Sequence, residues 1–117
     1  MLSISPQTKV FLCLENVDFR KGIDGLKAVC RQVIDQDPFS GMVFVFRNRK
    51  KHSIRLLMYD GQGFWMCTKR LSQGKFHWWP PKKSVQGIEI QAWDLQTLMW
   101  NGNPERAEFS DSWRKVS

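Results

Sequence analysis

The sequence predicts an α+β fold: a mainly antiparallel sheet, a meander of about four to five strands plus an N-terminal strand, packed against one main amphipathic helix and followed by a short C-terminal helix. Three observations carry this. Phe44-Val45-Phe46 and Ile54, Leu56 and Met58 are strand-like runs separated by the basic stretch from Arg47 to His52, which has nothing to bury. Asp60-Gly61-Gln62-Gly63 supplies glycines for a second tight turn, and a third strand pattern runs from Phe64 to Arg70. Upstream, Ile23, Leu26, Val29, Cys30, Val33 and Ile34 recur at steps of three and four, the spacing of one helical stripe.

In chain order, residues 1–8 read as a loose arm, and Lys9 to Leu14 as a strand apolar enough to be covered on both faces inside the sheet. Asn16 or Asp18 is placed to cap the main helix, whose charged face carries Lys21, Asp24, Lys27, Arg31 and Asp35. Asp37-Pro38 is expected to stop it, because the residue before proline is pushed toward extended geometry. After the meander, Lys75-Phe76-His77-Trp78-Trp79 reads as a fourth strand ended by Pro80-Pro81, and Gly87 to Ile90 as a short edge strand. Asp94 is placed to cap a last helix through Leu95, Leu98, Met99 and Trp100. Residues 104–117 form a polar tail in which Phe109 and Trp113 are the large apolar exceptions.

One domain of 117 residues is expected, since this length at 42% hydrophobic residues can bury a core without staples. The net charge of +7 is unevenly spread: Pro38 to Lys83 holds ten Lys or Arg against Asp60 alone, so the rest of the chain, with eight bases and ten acids, is net −2. Such a basic block favours polyanions. Cys13, Cys30 and Cys67 are odd in number and widely spaced among apolar neighbours, which suits buried reduced thiols. With no signal-peptide pattern and no stretch near the ~18 apolar residues of a membrane span, the expectation is a cytoplasmic protein without membrane attachment.

The usual catalytic constellations do not occur. His52 and His77 form no zinc spacing, the turn glycines lack the following helix and lysine of a phosphate loop, and Asp60 and Asp94 are accounted for by a turn and a cap. No catalytic residue, metal or cofactor is therefore expected. The binding signal is stronger: Arg47, Arg49, Lys50, Lys51 and Arg55 on one hairpin, with Lys69, Arg70 and Lys75 on neighbouring strands, form a candidate phosphate-gripping patch. The competing reading is a solvated turn that protects a sheet edge, but the local excess of charge is larger than edge protection needs. Of the six Trp and eight Phe, most are expected in the core, and Trp78, Trp79 and Trp113 are candidate partner contacts.

Three motifs go beyond composition: Asp18-Phe19-Arg20-Lys21-Gly22-Ile23-Asp24-Gly25-Leu26; Asp37-Pro38-Phe39-Ser40-Gly41 leading into Val43-Phe44-Val45-Phe46-Arg47-Asn48-Arg49; and Asp60-Gly61-Gln62-Gly63-Phe64 followed by Lys69-Arg70-Leu71 and Gly74-Lys75-Phe76. In this order, from about Lys9 to Pro80, they resemble the TnpB accessory family of the sixty-six group of bacterial insertion sequences. Tyr59 stands where that pattern has tryptophan and Arg55 where it has lysine, and the last third matches loosely. The resemblance implies a bacterial cytoplasmic protein required for transposition and encoded beside a separate, larger transposase that would carry the strand chemistry. It adds Arg20 and Lys21 to the candidate contacts. The expected function is non-catalytic: holding the DNA of the element ends through the basic hairpin together with the transposase, or, alternatively, docking the transposase as an adaptor without touching DNA.

Overall fold

A computed structural model describes residues 4–81 and 85–101. Its elements are β1 (Val10–Cys13), α1 (Ile23–Gln32), β2 (Val43–Arg47), β3 (Ser53–Tyr59), β4 (Phe64–Arg70), β5 (Gly87–Ile90) and α2 (Ala92–Met99). One sheet runs β4-β3-β2-β1-β5. The expected meander is β2-β3-β4, antiparallel throughout, and β1 lies inside the sheet, parallel to β2 and antiparallel to the edge strand β5. The parallel pair follows from the α1 crossover between β1 and β2, which returns the chain to the same end of the sheet.

Both sheet faces are covered, which is why β2 reads as an unbroken apolar run rather than an alternating one. On one face Leu26, Val29, Cys30 and Ile34 pack onto Cys13, Phe44, Phe46 and Leu57. On the other, Leu95 and Leu98 of α2 join Phe76 and Trp79 over Val10, Leu12, Val43, Val45, Ile54 and Leu56. Ile4 packs against this second cluster, beside a turn closed by the Thr8 N–H donating to the Ser5 carbonyl (3.0 Å).

Several expectations change. Lys75 to Trp79 is not a strand: Phe76 and Trp79, three residues apart, both turn inward as a cover on the α2 face, a spacing that period-two pleating cannot deliver. α1 is capped by neither Asn16 nor Asp18; Gly22 holds the N-cap position without a side-chain bond. Asp18 instead closes the preceding turn, accepting the Arg20 N–H (2.9 Å). The helix ends at Gln32, before Pro38 is reached, because Asp35 adopts a left-handed conformation (φ 51°) that folds Ile34 down against the sheet. Asp94 does serve the start of α2, from its third position: its carboxylate accepts the Gln91 N–H (3.1 Å) in a capping box. Cys13 and Cys30 are buried free thiols, and burial pushes the Cys30 thiol up to about 12, whereas Cys67 is exposed. Lys82 to Ser84 and the tail with Phe109 and Trp113 lie outside the described residues.

Candidate nucleic-acid interface

The topology sends three separate basic segments to one end of the sheet. β1, β2 and β4 finish there and β3 begins there. The loop before α1 is tied to the β2–β3 turn by a parallel bridge between Val17 and Asn48, with the Val17 N–H donating to the Arg47 carbonyl (3.0 Å). From the other side, the Leu71 N–H donates to the His52 carbonyl (2.9 Å) and the Phe76 N–H to the Lys51 carbonyl (2.7 Å). An open depression lined by Val17, Asp18, Phe19, Arg20, Asn48, Arg49, Lys50 and His52 lies between the first motif and the turn.

The turn is braced from within. Asn48 Oδ1 accepts the Ser53 N–H (3.1 Å), His52 Nδ1 lies 3.3 Å from Asn48 Nδ2 and 2.7 Å from Ser53 Oγ, and Lys51 takes a left-handed conformation (φ 67°). Arg49, Lys50 and Lys51 are consequently held outward and exposed. Lys21, Arg70 and Lys75 are exposed around them. Among the described residues the ion pairs are Arg20–Asp18 (2.8 Å) and Lys27–Asp24 (3.7 Å), so none of these six bases is in a described ion pair, although the charge of Lys21 is felt by Asp18.

The other candidate bases do different things. Arg47 is 9% exposed: its Nη1 donates to the Phe76 carbonyl (3.1 Å), its guanidinium stacks 4.9 Å from the Trp79 ring, and burial lowers its pKa. It is not part of the surface set, because it shares strand parity with Val43 and Val45 and so points into the α2-face core. Arg55 binds the first motif to the sheet, donating from Nη1 to the Phe19 (2.8 Å) and Lys21 (3.1 Å) carbonyls and from Nε to Thr68 Oγ1 (2.8 Å), with its guanidinium 4.5 Å from the Phe19 ring. Arg20 forks onto the Asp18 carboxylate, which holds Asp18 down at about 2. Lys69 reaches the far side of β4, where its Nζ donates to the Met99 carbonyl (2.6 Å) and sits 4.7 Å from the Trp100 ring.

The convergence gives the basic parts of the three sequence motifs a common location, whereas Asp37 to Gly41 and the Asp60–Gly63 turn lie at the opposite end of the sheet. A family described as "IS66 Orf2 like protein" matches residues 8–108. The chain belongs to this family. As an IS66 Orf2-like chain it is an accessory protein of transposition, a class not known as enzymes. The match continues past Pro80 through β5 and α2, so the last third belongs to the family pattern as well. Two curated relatives come from Sinorhizobium fredii strain NGR234. The uncharacterized protein y4jC is 35% identical over 95 residues, 81% of either chain. The uncharacterized protein y4hO is 33% identical over 99 residues, 85% of this chain and 84% of its own. No solved structure matches significantly. No helix among the described residues is long and apolar enough to cross a membrane.

Of the aromatic partner candidates, Trp79 is buried, its Nε1 donating to the Cys13 carbonyl (3.1 Å), and Trp78 is half-buried against the α2-face cluster. Trp113 lies outside the described residues. Among the described residues the exposed tryptophans are Trp93 (48%) and Trp100 (82%), which the sequence reading missed as partner contacts. Their spacing of two helical turns, out of phase with Leu95 and Leu98, was the available signal.

Proposed function

We propose that this IS66 Orf2-like protein assists transposition in the bacterial cytoplasm by gripping the phosphate backbone of element-end DNA at the basic end of its sheet, alongside a separate transposase. The observation that carries the reading is that Lys21, Arg49, Lys50, Lys51, Arg70 and Lys75 come from three distant segments yet share one end of the sheet, exposed and outside every described ion pair. Long exposed bases held on a braced turn suit phosphate contact, which positions DNA without specifying its sequence. Arg20 would join them by exchanging the Asp18 carboxylate for a phosphate, while Arg55 and Lys69 hold the surrounding backbone.

The test is DNA binding by the variant R49A/K50A/K51G. Glycine suits position 51 because of its left-handed backbone, and Arg47 is left intact because it supports the core. Loss of binding with an unchanged thermal transition supports the reading; unchanged binding overturns it.

The adaptor reading is favoured by a different observation, the exposure of Trp93 and Trp100 along α2. Co-purification with the transposase after nuclease treatment, abolished by W93A/W100A and accompanied by no DNA affinity of the chain alone, would select it.

A further inference from the structure

We infer that two copies of the chain associate through their β4 edges, antiparallel about a two-fold axis at Cys67, joining two five-stranded sheets into one of ten strands. This does not rest on DNA binding. β4 is an edge strand, and its ladder with β3 runs unbroken through seven pairs from Tyr59–Phe64 to Ser53–Arg70, without the bulge that would twist the edge away. Backbone parity is set at both ends of the strand: the Asp60 N–H donates to the Gly63 carbonyl (3.0 Å) and the Leu71 N–H to the His52 carbonyl (2.9 Å). Odd-numbered residues of β4 therefore bond to β3, and the N–H and C=O groups of Phe64, Met66, Thr68 and Arg70 face outward, with no described strand to receive them.

The occupant is a second copy because the register centred on Cys67, the midpoint of β4, pairs the whole seven-residue strand with itself. With Cys67 on the axis, Met66 faces Thr68 of the second copy and Phe64 faces its Arg70, so every outward residue finds an outward residue. The charges, which cluster at one end of β4, do not meet: Lys69 lies across from Trp65 of the second copy and Arg70 across from its Phe64. Registers centred on Lys69 or Arg70 set like charges opposite each other. The exposed Met66 (38%) gains cover on association. Because the pairing is antiparallel, the two basic ends point in opposite directions.

At this axis Cys67 forms a non-hydrogen-bonded pair, whose Cα separation of about 4.5 Å is within disulfide range. The test uses the full-length chain. Sedimentation under reducing conditions should give twice the chain mass for wild type and Cys67→Ser. Cys67→Lys, which places two ammonium groups on the axis from a position exposed in the single copy, should give the single mass. Met66→Pro, which removes an outward N–H but no bond to β3, should do the same. Copper-phenanthroline oxidation, which takes two electrons from the paired thiols and releases their protons, should cross-link wild type but not Cys67→Ser. A single chain mass for wild type overturns the inference, whether residues 102–117 or a foreign strand covers the edge. So does a dimer that persists in either Cys67→Lys or Met66→Pro.

Discussion

Two arginines two positions apart, Arg47 and Arg49, carry the same charge and do opposite jobs. Arg47 follows Val43 and Val45 onto the α2 face, where its guanidinium is sandwiched between the Phe76 carbonyl and the Trp79 ring. Arg47→Ala would leave a cavity and an unpaired carbonyl, costing about 2–3 kcal/mol in urea denaturation. Arg49→Ala should leave stability within about 0.5 kcal/mol of wild type. Parity along β2 was legible in the sequence and would have turned Arg47 inward with Val43 and Val45; what separates Arg49, which has the same parity, is that β2 ends at Arg47 and the turn carries Arg49 outward, a boundary concealed when the basic cluster is read as one block. Acid sensitivity also belongs to single side chains. Asp18 is held at about 2 against 3.8 for an unperturbed Asp, by hydrogen bonds from the Arg20 side chain and backbone. Asp60 is lowered by N–H donors of Gly63 and Gln62 and by Trp65 Nε1. Both are depressed in the folded state, so their stabilisation is complete above about pH 4 and lost as pH falls toward 2. Melting temperature should drop across that window, and D18N/D60N should melt lower at pH 6 but lose less on acidification.

At the scale of elements, the meander was readable because strand-like apolar runs separated by two turns with distinct chemistry leave little choice of pairing. The Asp60 turn works as expected, its carboxylate collecting the Gln62 and Gly63 N–H groups while Gly61 takes φ 96°. Lys75 to Trp79 was misread because a short apolar run suits a strand and a core cover equally; only tertiary contacts, such as Trp79 with the Cys13 carbonyl, distinguish them. The second edge depends on one residue that pattern could not reveal. A Cβ on Gly87 would collide with the Phe11 ring, come within 2.8 Å of the Leu12 carbonyl and press on Ile34. Since β5 pairs with β1 there, Gly87→Ala should destabilise the protein by about 1–3 kcal/mol, measured by chemical denaturation. The same substitution at Gly63, whose Cβ direction is open, should be nearly neutral.

For the whole molecule, the fold class and the basic character of the middle segment followed from composition and periodicity, but the geometry of the candidate site did not. The parallel β1–β2 pair brings the Asp18–Gly22 loop to the hairpin turn, and Arg55 fastens it there, so motifs far apart in sequence form one surface. That assembly also divides the basic residues into an exposed set and a scaffolding set, a distinction invisible to charge counting. The measurement that tests it most directly is a titration of element-end duplex DNA at several salt concentrations. With six available bases, wild type should show a log–log salt slope of about −3 to −5, and R49A/K50A/K51G should be shallower by roughly 2–3 while retaining the wild-type melting temperature. No binding by wild type at low salt, or a slope unmoved by the triple substitution, would contradict the account.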